Sequence, residues 1–456
     1  MNGRMGTLLL LGASGDLAGR LLLPAYGQLL DTEPERRDIV LLGAGSEDWD
    51  ESQWRERVTT SFTEGGVSKE TLDSVLASTS YRRADVTDAG DLADLLQACQ
   101  GAPAVYFALP PAVTVRSCTV LEHVPLPPGT ALVLEKPFGT DQATAASLNA
   151  LLTKLVPEGQ VHRVDHFLGR STVLNLLGLR FANRLFEPLW SAEHIERVDI
   201  VFDEQLTLEN RARYYDSAGA LMDMIQSHLL QVLALVAMDA PAAANEVDLR
   251  DAKARVLRAT RVWQGDPATA GRRARYTSGS IDGREVPDYT AEPGVDPSRG
   301  TETLAELVVE VDNWRWAGVP FRLRSGKALA DRRKEVLVTF RPVPHLAAGL
   351  LGHAAPDRLR LTMGPDQISL EININGPGDP LELDRVMLDA DFAAGRLPAY
   401  GEVLAGVLDG DPLLSVRADT AEQCWRIVDP VLQAWRQDRT PMDTYPVGSD
   451  GPASWS

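Results

Sequence analysis

A chain of 456 residues is longer than one ordinary hydrophobic core supports, and it implies two or three domains. Its composition, 44% hydrophobic and 24% charged, is that of a globular protein. A formal net charge of −19 repels nucleic acid and anionic membrane, so neither is expected as a partner. The same field repels phosphorylated small molecules, so a phosphate site needs locally clustered Lys, Arg and His.

No run is read as long and apolar enough to cross a bilayer, for which about 20 residues are needed. The stretch from Met1 to Thr7 carries no signal-peptide core. Cys99, Cys118 and Cys424 are far apart and in no metal spacing. They read as small buried hydrophobes in a reducing, cytoplasmic setting, and no metal is expected.

In chain order, Thr7-Leu-Leu-Leu-Leu-Gly12 reads as a buried strand ended by glycine, followed by helical spacing from Leu17 to Leu30. Asp38 to Leu42, Ala104 to Leu109 and Ala131 to Leu134 are further short apolar strands with helical stretches between them. Strands alternating with helices predict a doubly wound parallel sheet. After about residue 160 the pattern changes. Ala218 to Met238 is helical, and Glu196 to Glu204, Ala305 to Trp316, Val336 to Pro342 and Arg358 to Asn375 alternate as half-covered antiparallel strands do. Ala268 to Thr301, rich in Gly, Pro, Arg and Asp, reads as a long loop. The fold class is therefore an α/β dinucleotide-binding domain over 1–160, then an α+β domain over 161–456 with a large, mainly antiparallel sheet.

Gly12-Ala13-Ser14-Gly15-Asp16-Leu17 lies between the first strand and the first helix. Glycines there admit the backbone to a pyrophosphate, and the helix start offers N–H groups and a positive dipole end. The spacing is not the full G-x-G-x-x-G, and a plain strand–helix turn is the competing reading. The end of the second strand, where the adenosine ribose is commonly read, carries Ser46, Glu47 and Asp48 and no basic residue. Acids there suit a free 2′-hydroxyl, which favours NAD over NADP. The other reading is that they only start the next helix. Pro110, after Tyr106-Phe107-Ala108-Leu109, either lines the nicotinamide half or makes a rigid turn.

Glu135-Lys136-Pro137-Phe138-Gly139 follows a strand, and a Lys–Pro bond there is a candidate cis bond. Arg163-Val164-Asp165-His166-Phe167-Leu168-Gly169-Arg170 comes next. Further on stand Tyr214-Tyr215-Asp216, Asp223-Met224-Ile225-Gln226-Ser227-His228 and Gly318-Val319-Pro320-Phe321-Arg322-Leu323-Arg324-Ser325-Gly326-Lys327. In this order the motifs resemble the glucose-6-phosphate dehydrogenase family from residue 7 to about residue 440. The resemblance implies a Rossmann-like first domain, and a β+α second domain whose sheet often forms a dimer interface. The implied activity is oxidation of glucose 6-phosphate at C1 to the lactone with NAD or NADP, feeding the pentose phosphate route. A homo-oligomer, dimer or tetramer, is expected.

By the same resemblance His228 is the base for the C1 hydroxyl and Asp165 its orienting carboxylate, as an imidazole near its working pH requires. His166 and Arg170, with Lys327, are expected on the phosphate, and Arg332 and Arg333 are either further basic residues there or part of a solvated charge run, Asp331-Arg332-Arg333-Lys334. Glu204, Asp223 and Asn373 match positions that accept sugar hydroxyls. Lys136 is expected to bridge sugar and cofactor. Gly12, Ser14, Gly15, Asp16, Leu17, Ser46, Glu47 and Pro110 make up the expected cofactor set. There are departures from the family pattern. Phe167 stands for Tyr and Arg170 for Lys, and Asn373 sits near a usual Gln. The turn reads Gly15-Asp16-Leu17-Ala18-Gly19-Arg20-Leu21 where the family often has Gly-Asp-Leu-Ala-Lys-Arg-Lys. These departures leave two alternatives: a related enzyme for another sugar phosphate, such as an aminosugar phosphate, or a non-catalytic sensor of cofactor or sugar phosphate.

Overall fold

The computed structural model describes residues 4–209, 212–393 and 395–455. Two compact units emerge. The first comprises Met1–Ser171, Pro241–Asp251 and Gly395–Glu422, and the second Thr172–Ala240, Ala252–Ala394 and Gln423–Ser456.

In the first unit, β1 (Thr7–Leu11), β2 (Val40–Gly45), β3 (Ser80–Arg83), β4 (Pro103–Phe107), β5 (Ala131–Glu135) and β6 (Val161–Val164) form one sheet in the order β6-β5-β4-β1-β2-β3. All of these neighbours pair in parallel, and the short strand Ser415–Val416 adds an antiparallel edge beside β6. This is the doubly wound dinucleotide-binding order. Both β1 and β4 are buried along their whole length, which is why they appear in the sequence as unbroken apolar runs rather than alternating ones. The core gathers Leu10, Tyr26, Leu29, Trp54 and Phe62. Val403, Leu404 and Leu408 join it from helix Ala399–Asp409, so a late segment completes a core that the N-terminal part begins.

Among the described residues of the second unit, ten strands form one sheet, nine of them in a continuous path. Those nine are β7 (Ile195–Asp203), β8 (Gly271–Thr277), β9 (Leu304–Val311), β10 (Pro320–Gly326), β11 (Lys334–Phe340), β12 (Arg358–Met363), β13 (Asp366–Asn375), β14 (Leu383–Asp391) and β15 (Met442–Pro446). Their order is β14-β13-β12-β11-β7-β10-β9-β8-β15, and Thr260–Val262 pairs beside β9. Most pairs are antiparallel; β7 with β10 and β8 with β15 are parallel.

Three sequence expectations are corrected. The stretch 268–301 is not one loop, because β8 lies inside the sheet and Gly279–Ile281 and Arg284–Val286 form a hairpin. Arginines disguised the strand. Ala274 and Tyr276 point into the core, while Arg272 donates to Glu306 at 3.0 Å and Arg273 to the Thr440 carbonyl at 2.8 Å. The run 358–375 is two strands folded back at Gly364-Pro365. Finally, Ala212–Ala237 is, by length and composition, apolar enough to cross a bilayer, against the expectation that no run is. Its apolar surface is covered by the protein itself, with every residue of Leu230–Ala237 buried.

That 26-residue helix is not continuous. Gly219, with φ 68° and ψ 175°, breaks it. The Glu302 carboxylate then accepts the Leu221 N–H at 2.9 Å and so caps the restart. A Cβ at Gly219 would lie 2.7 Å from the Glu302 carboxyl carbon, so both the backbone angle and the space require glycine. From Leu221 to Leu229 the helix is π-wound.

Candidate active site

In the first unit the strand ends are level. Leu11 pairs with Ala44 and with Phe107, Phe107 with Leu134, and Glu135 with Val164. Gly12–Leu17, Ser46–Glu47, Pro110, Lys136 and Asp165–Arg170 therefore all leave the sheet at its carboxyl edge, where open parallel sheets bind ligands. Gly12 turns the chain with φ 83°, and its N–H donates to the Ala44 carbonyl at 2.8 Å. Ser14 Oγ donates to Glu47, and that bond is the main cause holding the Glu47 carboxyl below its ordinary pKa. Tyr81 OH braces the Glu47 carbonyl at 3.0 Å. Pro110 opens helix Pro111–Leu121.

Lys136-Pro137 is cis. Beside it, Glu135 accepts from Tyr106 OH. Burial is the largest influence on Glu135 and pushes its pKa up to about 7, against the lowering effects of Tyr106, Lys136 and Tyr400. The fully buried Asp165 accepts the Phe167 N–H at 3.1 Å. His166 stacks on Tyr400 with ring centres 5.3 Å apart. Arg170 lies over the Phe167 ring at 4.7 Å, so the Phe at this position carries a cation on its face.

In the second unit β7 and β10 are parallel and end together, with Asp203 opposite Gly326. The next residues along, Glu204 and Lys327, meet directly, Nζ to Oε2 at 2.9 Å. Lys334 Nζ approaches the other Glu204 oxygen at 3.4 Å. Lys327 also sits over the Tyr215 ring at 5.2 Å, and Tyr214 OH donates to Asp223 at 3.2 Å. Asp223 and the buried His228 share the π-helical stretch, whose i→i+5 bonding puts them about one turn apart. Glu204, Lys327, Asp223 and the two tyrosines thus form one neighbourhood. Arg332 is exposed, whereas its neighbour Arg333 binds Asp203 at 3.1 Å. Asn373 stands apart on β13, three strands from β7, where its amide donates to the Ala355 carbonyl at 2.8 Å.

Sequence reasoning missed several groups. Arg83 ends β3 opposite Gly45 and lies 3.6 Å from Asp48, which brings a guanidinium to the ribose end of the edge. Lys334, as the second cation on Glu204, and Glu302, beneath Gly219, were equally invisible, since neither stands in a motif.

A glycine turn at the switch point of a parallel sheet, with an acid at the second strand end, defines the first unit as a dinucleotide-binding domain. Together with the substrate-type residues of the second unit, it makes the protein a nicotinamide-linked oxidoreductase. The family model for glucose-6-phosphate dehydrogenase, NAD binding domain, matches residues 9–175, and that for its C-terminal domain matches residues 177–456. The chain belongs to the glucose-6-phosphate dehydrogenase family. It is 38% identical to glucose-6-phosphate 1-dehydrogenase of Treponema pallidum, over 98% of this chain and 92% of that one. Against the same enzyme of Gluconobacter oxydans it is 39% identical over 97% and 93%. A glucose-6-phosphate dehydrogenase solved in complex with its substrate glucose-6-phosphate superposes with a TM-score of 0.90 at 28% identity, covering 100% of this chain and 97% of the other.

Glu135 gives a prediction. Its folded carboxyl keeps a proton that an unfolded one loses above its ordinary 4.5. It therefore contributes stability below that pH, and the contribution is lost as pH rises through about 7. Glu135→Gln, which keeps an acceptor for Tyr106, should raise Tm at about pH 8 and leave it nearly unchanged at about pH 4. An equal effect at both pH values in a thermal melt would show that the carboxyl does not titrate there.

Proposed function

We propose that this chain oxidises glucose 6-phosphate at C1 to the 6-phosphogluconolactone, reducing a nicotinamide dinucleotide, at the entry to the pentose phosphate route. The observation that carries the reading is the Glu204–Lys327 pair beside Asp223 on the π-helical segment that bears His228. Acids suited to sugar hydroxyls and a cation suited to a phosphate gather in the unit whose π-helical segment carries the base candidate.

The cofactor's residues are Gly12, Ser14, Gly15, Asp16, Leu17, Ser46, Glu47, Pro110 and Lys136. Bound, the nicotinamide ring supplies the hydride acceptor. His228 takes the C1 hydroxyl proton as the hydride departs, and Asp165 is the carboxylate that orients an imidazole. His166, Arg170 and Lys327 neutralise the phosphate, with Arg332 as an outer cation. Glu204 and Asp223 accept sugar hydroxyls; Asn373, three strands from β7 with its amide on the Ala355 carbonyl, is not among them. The three cysteines form no disulfide with one another, which supports a cytoplasmic setting.

Initial rates of coenzyme reduction should be high with glucose 6-phosphate and negligible with glucose. They should fall by about three orders of magnitude in His228→Ala, since a positioned base contributes roughly 10²–10⁴-fold. Turnover that survives His228→Ala removes the base assignment, and a better rate with an aminosugar phosphate moves the substrate.

We read the coenzyme as NAD, because the ionised Glu47 and the exposed Ser46 meet the ribose end of the edge. Arg83 favours the second reading, NADP. Ser46→Arg should raise the NADP-to-NAD ratio of kcat/KM, and an unchanged ratio would show that residue 46 does not meet the ribose.

A homodimer is the assembly we propose. Ile374 on β13 and Met387 and Leu388 on β14, the two strands at one end of the sheet, are exposed and apolar. Sedimentation equilibrium should give at least twice the 49.6 kDa chain mass, whereas a monomer at micromolar concentration would defeat this.

A further inference from the structure

Arg57 stands out among the cations of the first unit. It sits on helix Glu51–Glu64, far in sequence from the dinucleotide turn, yet its Nη2 donates to the Gly15 carbonyl at 2.6 Å and to the Ser14 carbonyl at 3.2 Å. Among the described residues no carboxylate lies within ion-pair distance of it. Its neighbours Arg55 and Arg20, by contrast, pair with Glu51 and Asp16. The Arg57 Nε is buried and has no hydrogen-bond partner. An unneutralised guanidinium with an unused buried N–H needs explaining in a chain of net charge −19. The Gly15 carbonyl it binds also accepts the Gly19 N–H at 3.2 Å, and neither turn carbonyl neutralises the guanidinium charge.

Gly19 is what lets the guanidinium in. A Cβ there would lie 2.7 Å from Arg57 Nε and closer still to the guanidinium carbon. The first helix, which carries no lysine at residues 19 and 21, thus gives up side-chain volume at residue 19. A cation from the neighbouring helix occupies the space.

We infer that Arg57 is the positioning cation of the dinucleotide turn. It is seated by Gly19, it fixes the Ser14–Gly15 backbone, and it supplies the positive charge that draws the coenzyme's pyrophosphate to that turn. The inference rests on the reading of the first unit as the coenzyme domain, and it extends to a residue outside the glycine motif. Residues 19 and 57 therefore act as one unit. Loss of either the space or the charge weakens coenzyme binding and leaves sugar-phosphate binding alone.

The test is a double-mutant cycle on the full-length enzyme. Coenzyme Kd is read by quenching of tryptophan fluorescence with no sugar phosphate present. KM for the coenzyme and for glucose 6-phosphate are read by initial rates, and Tm by thermal melting. Arg57→Met should raise coenzyme Kd and KM by about tenfold, the size of one charge-assisted hydrogen bond. KM for glucose 6-phosphate should stay within about twofold, and Arg57→Lys should recover part of the loss. Gly19→Ala should weaken coenzyme binding in the same direction while Tm holds or rises, since alanine favours the helix. The double variant Gly19→Ala/Arg57→Met should bind coenzyme no worse than Arg57→Met alone. A coenzyme Kd unchanged in Arg57→Met with a lowered Tm would make Arg57 a plain brace of the turn and overturn the inference, as would additive losses in the double variant. Wild-type enzyme that binds coenzyme but turns over no glucose 6-phosphate would instead fail the functional reading, with the cycle still decided by Kd.

Discussion

What a ligand meets in the first unit is governed by the register of five parallel strands. Because β1 and β2 pair Leu11 with Ala44, and β5 and β6 pair Glu135 with Val164, each strand releases its chain at the same height. Helices that begin there turn their N-termini toward the same edge. A one-residue slip of any strand would turn its whole side-chain set to the other face. Burial on both faces resists it: β1 and β4 are buried throughout, and a slip would force side chains on both sides of the sheet to repack. The glycine turn, Glu47, Lys136 and Asp165 are therefore held by one rigid sheet rather than by independent loops, which is what precise orientation of a cofactor demands.

Charge is the second constraint. In so acidic a chain each cation near a site is either matched or deliberately left unmatched. Glu204 stands between Lys327 and Lys334, and each lysine also rests on an aromatic face, Tyr215 and Phe202 respectively. Glu204 thus pairs with both ammonium groups, and the ring faces hold the lysines in place. A chelating anion can pull one lysine away without stranding the acid, since the other remains. Arg324 and Arg333 differ: both converge on the buried Asp203, so their charge serves the sheet and is not available in the same way.

The legible parts of the molecule were those in which one residue pattern determines one environment. Thr7–Leu11 could be read because a strand covered on both faces must be apolar throughout. The glycine turn, the Lys136-Pro137 element and the motif around Asp165 could be read because their chemistry is local. What escaped depended on partners far away in the chain. β8 carries three arginines and looked like a loop, and their partners Glu306, the Thr440 carbonyl and the Thr301 carbonyl are distant in the chain. Arg57 belongs to the turn only because Gly19 is empty, a relation between positions 38 residues apart that no motif contains. Asn373 matched by position in the sequence, yet it lies on β13, away from Glu204, because the folding back at Gly364-Pro365 carries that strand outward.

The helix that bears His228 shows how the fold accommodates an unfavourable element. A π-wound stretch has poorer hydrogen-bond geometry than an α-helix and is rarely kept without a use. Here it is preceded by a break at Gly219, so the restart at Leu221 needs its own cap, and Glu302 supplies it from the segment leading into β9. Burial pushes the Glu302 pKa up to about 7, and its backbone bonds pull the other way. The cap therefore works whether or not the carboxyl is ionised, because either form offers an oxygen to the Leu221 N–H. At the far end, Leu230–Ala237 is buried at every residue and anchors the helix in the core. Between a capped start and an anchored end, the intervening segment can hold Asp223 and His228 in a winding that an isolated helix would relax.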